Sequence, residues 1–402
     1  MARMEGSAPA LAASALRGSI LVDRELRALR GSALRLRAGA APIEDAQFQP
    51  ASLDLRLGAE AYRVRASFLP ERTSVRERLA QLSTSRLSLA GEGAVLERGL
   101  IYLVPLEEAL ALPPDLSARF NPRSSTGRCD LFTRVLVDGH PRFDEAPRGF
   151  HGELWLEVAP LSFPVRLKRG DRLCQLRLQR GAPALGAAEL RRVLERTPLC
   201  FEASGPHGAQ RALAPHELRI DEQGALELRV GLSGRSPCAW RAALHTDVVR
   251  FAENGAHARS DFWEPVYEKD GHCILEPGRF YIFASRERLR VPPELAAEML
   301  PVDVGVGELR NNYAGFFDNG FGWRTGPQGE PLDGGTPAVL EVRAHDLPFL
   351  VEDGQAFCRL RFFATAERPS ALYGEGRGGP SYRAQDLTLA RAFRGDEPAP
   401  RT

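Results

Sequence analysis

SLDLRLG, from Ser52 to Gly58, alternates apolar and polar side chains. That is the period of a strand with one face in a core and the other outside it. ALELRVG, from Ala225 to Gly231, has the same pattern, as do ELWLEV from Glu153 and CQLRL from Cys174. The run VRLKRGDRLCQLRL, from Val165, reads as strand, Arg-Gly-Asp turn, strand. Helical spacing of apolar residues occurs in two places, Asp23 to Leu34 and Ala188 to Arg196. The pattern predicts a mostly β chain with a few short helices.

The strand segments also repeat. SLDLRLG at Ser52 returns as ALELRVG at Ala225, and PPDLSARFNP at Pro113 returns as PPELAAEMLP at Pro292. WLEV at Trp155 returns as VLEV at Val339. FPVRLKRGDRLCQLRL at Phe163 returns as LPFLVEDGQAFCRLRF at Leu347, with Pro164 and Pro348, Gly170 and Gly354, and Cys174 and Cys358 coinciding. Four segments in one order, about 180 residues apart, exceed any solenoid unit and predict two copies of one domain. The boundary is expected near residue 190, beside the RGAPALGAA stretch, giving domains 1–190 and 191–402. Each copy, with short strands and few helices, reads as a barrel or double-sheet roll.

Charge removes several functions. The 53 basic and 52 acidic side chains leave a net charge of +1, so no polybasic stripe for nucleic acid organises the surface. No window holds ~18 consecutive apolar residues, which argues against a membrane-spanning helix. The Ala-rich start, MARMEGSAPALAASALRGSILV, is expected to be a disordered or loosely helical lead-in rather than a cleaved signal. The six cysteines are dispersed without a CxxC pair, the usage of a reduced, cytoplasmic protein. His151 and Glu153 imitate half of a zinc deaminase signature, but Pro237 and Cys238 are followed by Ala239, Trp240 and Arg241, so the second cysteine is missing. HExxH spacing, a P-loop and a GxSxG elbow are absent from the sequence, and GEGRGG from Gly374 follows no strand-to-helix pattern.

Three segments carry candidate chemistry. RSSTGR, from Arg123 to Arg128, brackets three hydroxyls and a glycine with two arginines. It is compatible with a plain polar turn and with a loop that donates hydrogen bonds to phosphate. Glu157 in ELWLEV either faces water on a half-exposed strand or serves as a general base; its copy at Glu341 favours a role for the carboxylate. FFDNGFGW, from Phe316, has a hairpin-tip signal at Asp318, flanked by rings that would either pack together or stack on a base.

Taken in order, these segments resemble the dCTP deaminase branch of the dUTPase-like family. QPASLDLRLG resembles its first strand motif, PPDLSARFNPRSSTGR its strand, turn and Ser-Ser-x-x-Arg loop, and GFHGELWLEV its glutamate-bearing return strand. FPVRLKRGDRLCQLRL is similar to its closing segment, YAGFFDNGFG to its nucleoside hairpin and SYRAQ, from Ser381, to its C-terminal arm. The resemblance covers most of both halves and implies a long, tandem-duplicated form with two β-roll or distorted-barrel domains. It implies hydrolysis of dCTP to dUTP and ammonia, no tightly bound cofactor, and magnesium accompanying the triphosphate. It also implies a homo-oligomer with sites at domain or subunit boundaries. By resemblance, Glu157 is the base, Ser124 and Arg128 orient water and stabilise charge at C4, and Arg123 and Ser125 bind phosphate. Asp144 and Asp318 match the sugar-contacting position, Glu341 copies the base, and Tyr382 and Gln385 belong to the arm.

The two copies differ. The first has FDEAPRGF where a hairpin Asp is expected, leaving Asp144 as the match; the second reads VDVGVG in place of RSSTGR. Either the site uses first-copy residues with the arm reaching over, which the intact RSSTGR beside Glu157 favours, or it combines RSSTGR with Asp318, Glu341 and the arm. A dUTP pyrophosphatase, or an enzyme that deaminates and then cleaves, would use a similar pocket with Asp318 activating water. A non-catalytic nucleotide-binding module is the alternative from another class.

Overall fold

The computed structural model describes residues 18–204, 209–300, 309–311, 315–326, 330, 332–344, 346–375 and 385–395. Residues 1–17 of the N-terminal lead-in, the second-copy VDVGVG segment and Tyr382 lie outside the described residues. The end of the lead-in is neither disordered nor helical, because Gly18–Ile20 forms a strand against Arg172–Gly181 and Ile20, Leu21 and Val22 are buried.

The chain is mostly β. In the first copy one sheet runs in the order Glu145–Ala146, Leu116–Pro122, Arg172–Gly181, Ser52–Arg56, Phe48–Gln49. The facing sheet runs Leu131–Leu136, His151–Pro160, Ile101–Ala111, Glu60–Val64, Ser83–Ser88. Leu53, Leu55, Phe120 and Leu176 meet Val104, Val135, Leu156 and Val158 in one core. The second copy repeats the plan. Its Ala225–Arg229, Ala356–Ala364, Leu295–Leu300 and Phe316–Phe317 strands form the counterpart of the first sheet. Phe280–Leu289 and Thr336–Ala344 lead the other. The two copies share apolar contacts as well: Trp240, Phe262, Trp263, Phe280 and Val339 of the second belong to the first copy's core.

Local structure departs from the sequence pattern where charge is buried. Ser52–Arg56 is buried along both faces, not one. The polar face is satisfied by ion pairs, Arg56 with Glu108 at 2.7 Å and Asp54 with Arg123 at 3.3 Å, which makes the burial tolerable. The helix expected over Asp23 to Leu34 stops after six residues, at Ala28 (α1, Asp23–Ala28). Gly31 then takes φ +76°, turning the chain into a strand at Leu34–Leu36. A helix over Val75–Leu82 (α2) is started by Ser74, whose hydroxyl accepts from the Glu77 amide while the Glu77 carboxylate accepts from the Ser74 amide. The RSSTGR segment forms a single helical turn, Ser124–Gly127 (α3). A fourth helix, Ala187–Arg196 (α4), spans the expected boundary and packs Leu190, Val193 and Leu194 into the second copy's core.

Candidate active site

A cavity of about 550 Å³ opens between the two copies. The first copy contributes Arg123, Ser124, Ser125 and Arg128; the second contributes Asp318, Glu341 and Gln385. The structure therefore combines RSSTGR with the second copy's hairpin, glutamate and arm. Glu157 and Asp144 do not line this cavity.

The turn of α3 sets the approach of the two copies. A side-chain carbon added at Gly127 would lie 2.5 Å from Glu341 Oε2. Only glycine lets the carboxyl rest against that backbone. Glu341 is 7% exposed. Burial pushes its carboxyl up to about 8, opposed by the Arg128 charge and reinforced by Asp130. Arg128 is buried and pinned from the arm: its Nη2 donates to Gln385 Oε1 at 2.6 Å and its Nη1 to the Thr388 carbonyl at 3.0 Å. Gln385 Nε2 in turn donates to the Pro337 carbonyl at 2.9 Å, at the head of the strand that carries Glu341. Ser124 is exposed to the cavity.

At another wall, Asp318 is held by two groups of the first copy. Arg177 Nη2 donates to Oδ1 at 2.8 Å, and Ser52 Oγ donates to Oδ2 at 3.0 Å. Arg177 also lies over the Phe316 ring at 3.9 Å. Phe317 and Phe321 pack edge to face at 4.8 Å, and Tyr373 meets Phe321 at 5.6 Å. This gives an apolar aromatic wall beside a carboxylate, suited to a flat ring joined to a polar hydroxylated group. Arg123 is anchored by Asp54 and by the Arg172 carbonyl, at 3.3 Å each.

The first-copy candidates are placed elsewhere. Glu157 is 3% exposed, and its Oε1 accepts from Arg134 Nε at 3.1 Å and Nη2 at 2.8 Å. The Arg134 guanidinium lies over Phe132 and Phe143 at 4.7 and 4.0 Å, so a cation and two rings fill the space beside the carboxylate. Asp144, in the turn before Glu145–Ala146, accepts from the amide of Val135 on the Leu131–Leu136 strand at 2.7 Å. Burial pushes its carboxyl up to about 7.

Strand register explains the asymmetry. Ala146 pairs with Ala118, and Phe317 pairs with Ala297, the equivalent residue of the repeat. One step further on, the counterpart of Asp318 is Pro147, not Asp144. The first copy has no hairpin carboxylate at that position.

Sequence reading missed Ser52, Arg177 and Tyr373. Arg177 sits on a strand whose alternation assigns it to solvent, yet it is 2% exposed because it faces Asp318 across the copy boundary. Among the described residues no group of three or more His, Cys, Asp or Glu is placed to hold a metal ion. No helix among them is long and apolar enough to cross a membrane.

Both halves of the chain match known proteins. Residues 17–182 match the N-terminal domain, and residues 205–393 the C-terminal domain, of 2'-deoxycytidine 5'-triphosphate deaminase. A Rhodococcus jostii protein described as "dCTP deaminase, dUMP-forming" is 34% identical over 167 residues, 40% of this chain and 83% of the relative. A Methanobrevibacter smithii protein with the same description is 32% identical over 140 residues, 34% of this chain and 68% of the relative. The crystal structure of 2'-deoxycytidine 5'-triphosphate deaminase from Agrobacterium tumefaciens superimposes with a TM-score of 0.76 at 41% identity. It covers 88% of this chain and all of that one.

Proposed function

The chain belongs to the 2'-deoxycytidine 5'-triphosphate deaminase family, and from that premise we propose that it deaminates dCTP in the composite cavity, with Glu341 as general base. The observation that carries the assignment is the contact of Glu341 with the Gly127 backbone, beside Arg128 and within the cavity that Ser124 lines. Water adds to C4 of cytosine and passes a proton to the Glu341 carboxylate. Ser124 and Arg128 orient that water and stabilise charge as C4 becomes tetrahedral. The acquired proton then goes to the exocyclic amine, the C4–N bond breaks and ammonia leaves, while the proton remaining on the C4 hydroxyl passes to N3 to give uracil. A carboxyl raised towards working pH suits both transfers. Phe317, Phe321 and Tyr373 wall the nucleoside, Asp318 accepts from the sugar hydroxyl, and Arg123 and Ser125 take phosphate oxygens. The triphosphate arrives as its magnesium complex, with the metal belonging to the substrate. The six free, buried cysteines support a cytoplasmic setting, and a homo-oligomer remains the expected assembly, to be measured by light scattering.

Glu157→Gln and Glu341→Gln, assayed with dCTP and magnesium, test the assignment. Glu341→Gln should lose ~10²–10⁴ of the rate, and Glu157→Gln should keep most of it. The reverse result would return the chemistry to the first copy.

A second reading concerns the product. Relatives described as dUMP-forming, together with Asp318 in the same cavity as Glu341, favour a site that also cleaves the triphosphate. Asp318 would then activate water at the α-phosphate. Product analysis separates the two readings: dUTP with ammonia supports deamination alone, and dUMP with pyrophosphate supports both steps.

A further inference from the structure

The chain continues past Gln385 as a strap with two anchor points. The first is Arg128, held by Gln385 and Thr388. The second lies beyond the cavity. The Gly255 amide donates to the Arg391 carbonyl at 2.8 Å and the His257 amide to the Ala392 carbonyl at 3.0 Å. Phe393–Arg394 then pairs in parallel with His257–Ala258. The Phe393 ring lies 5.3 Å from Phe262, 5.7 Å from Trp263, and 6.1 Å from both Phe163 and His257. Phe163 comes from the first copy and the other three from the second, so one partly buried ring packs against both copies at their junction. Between the anchors stands Arg391. It lines the 550 Å³ cavity and also a neighbouring one of about 290 Å³, whose walls include Arg123, Ser125 and Arg172.

We propose that Phe393 is a positioning residue for this site: packed at the copy junction, it fixes the strap that pins Arg128 and sets Arg391 on the wall shared by the two cavities. The inference rests on the deamination reading for what Arg128 and Arg391 do, but not for the anchoring itself. A segment without regular structure of its own loses its conformational freedom only where buried contacts offset that loss. Gln385 and Thr388 supply polar contacts that water can replace, whereas the buried Leu389, Ala390 and Ala392 and the partly buried Phe393 ring supply the apolar burial that water opposes, Phe393 being the largest of these groups and the one that reaches both copies. Phe393 itself touches no reacting atom. Its removal acts through the geometry of Arg128 and through the reach of Arg391 towards the outer phosphates, for which a guanidinium is well suited.

The test compares wild type with Phe393→Ala, Phe393→Leu and Arg391→Gln in the full chain. Phe393→Ala should keep its far-ultraviolet circular dichroism, lose kcat by about tenfold or more through misplaced Arg128, and raise KM for dCTP. Phe393→Leu, which refills most of that space, should recover most of both. Arg391→Gln should raise KM with kcat largely kept. Trypsin, followed by mass spectrometry, should cut after Arg391 and Arg394 sooner in Phe393→Ala than in wild type. Wild-type kcat and KM in a folded Phe393→Ala would overturn the proposal, as would unchanged cleavage of the strap. Should Phe393→Ala not fold, a smaller loss of the same sign in Phe393→Leu supports it, and no loss overturns it. If wild type itself fails to turn over dCTP, the deamination reading falls and trypsin alone decides the anchoring.

Discussion

Gly127 and Glu341 meet so closely that a methyl group at residue 127 would fall 2.5 Å from the carboxylate. Gly127→Ala should therefore displace Glu341 and reduce kcat by about a hundredfold, a loss read from steady-state rates on protein of unchanged circular dichroism. The titration of Glu341 gives two further expectations. In the free protein kcat/KM should fall as pH drops below about 8, because a protonated Glu341 cannot accept the proton of water. Stability runs the other way. The folded protein keeps this proton up to about 8, whereas the unfolded chain releases it near the ordinary value of 4.5. Between those values the folded state binds more protons. The contribution is thus fully present below about 4.5 and lost as pH rises through about 8. Glu341→Gln has no charge to bury, so it should melt above wild type at pH 9 and close to it at pH 5. A variant that melts below wild type at pH 9 would contradict the buried carboxyl.

The elements show why part of the site was legible and part was not. The strand at Ser52 and its copy at Ala225 could be read from alternation, and the Arg-Gly-Asp turn from its residue types. So could the duplication, because equal folds keep equal patterns of burial. The Ser74 and Glu77 box of α2 is likewise a local pattern, Ser-x-x-Glu at the start of a helix. The partnership of RSSTGR with Glu341 rather than Glu157 had no local signal: both glutamates follow a leucine on equivalent strands, and only the packing of one copy on the other separates them. Arg134, which occupies the space beside Glu157, is an ordinary strand arginine in sequence. The exchange of Asp318 for Pro147 became visible only through the strand ladder. The turn that aims Asp318 depends on Gly322, which has φ +67° and where a side-chain carbon would lie 2.0 Å from the Leu289 carbonyl. Gly322→Ala should destabilise the protein by roughly 1–3 kcal/mol and lower dCTP affinity, measured by chemical denaturation and by titration calorimetry. Unchanged values in both would show that the turn relaxes without moving Asp318.

On the scale of the whole molecule, the proposed site draws its parts from both copies rather than repeating them in each. The first copy keeps RSSTGR and adds Ser52 and Arg177 as supports for its neighbour's Asp318. It has lost the hairpin carboxylate to Pro147 and closed its own glutamate with Arg134. The second copy keeps the hairpin, the glutamate and the strap, but its sequence reads VDVGVG where the hydroxyls of RSSTGR would stand. A reciprocal site, built from the first copy's hairpin and the second copy's loop, would lack the sugar-binding carboxylate and a free base. It would also lack the serine hydroxyls, and its sequence has an aspartate, Asp303, where RSSTGR has Ser124, a charge of the same sign as phosphate. Binding should therefore saturate at one dCTP per chain, whatever the number of chains in the assembly. Glu341→Gln, which binds without turnover, allows that count by calorimetry with magnesium present. A stoichiometry of two per chain would show that the first copy's hairpin still binds nucleotide, and the sharing of parts between copies would then be confined to catalysis.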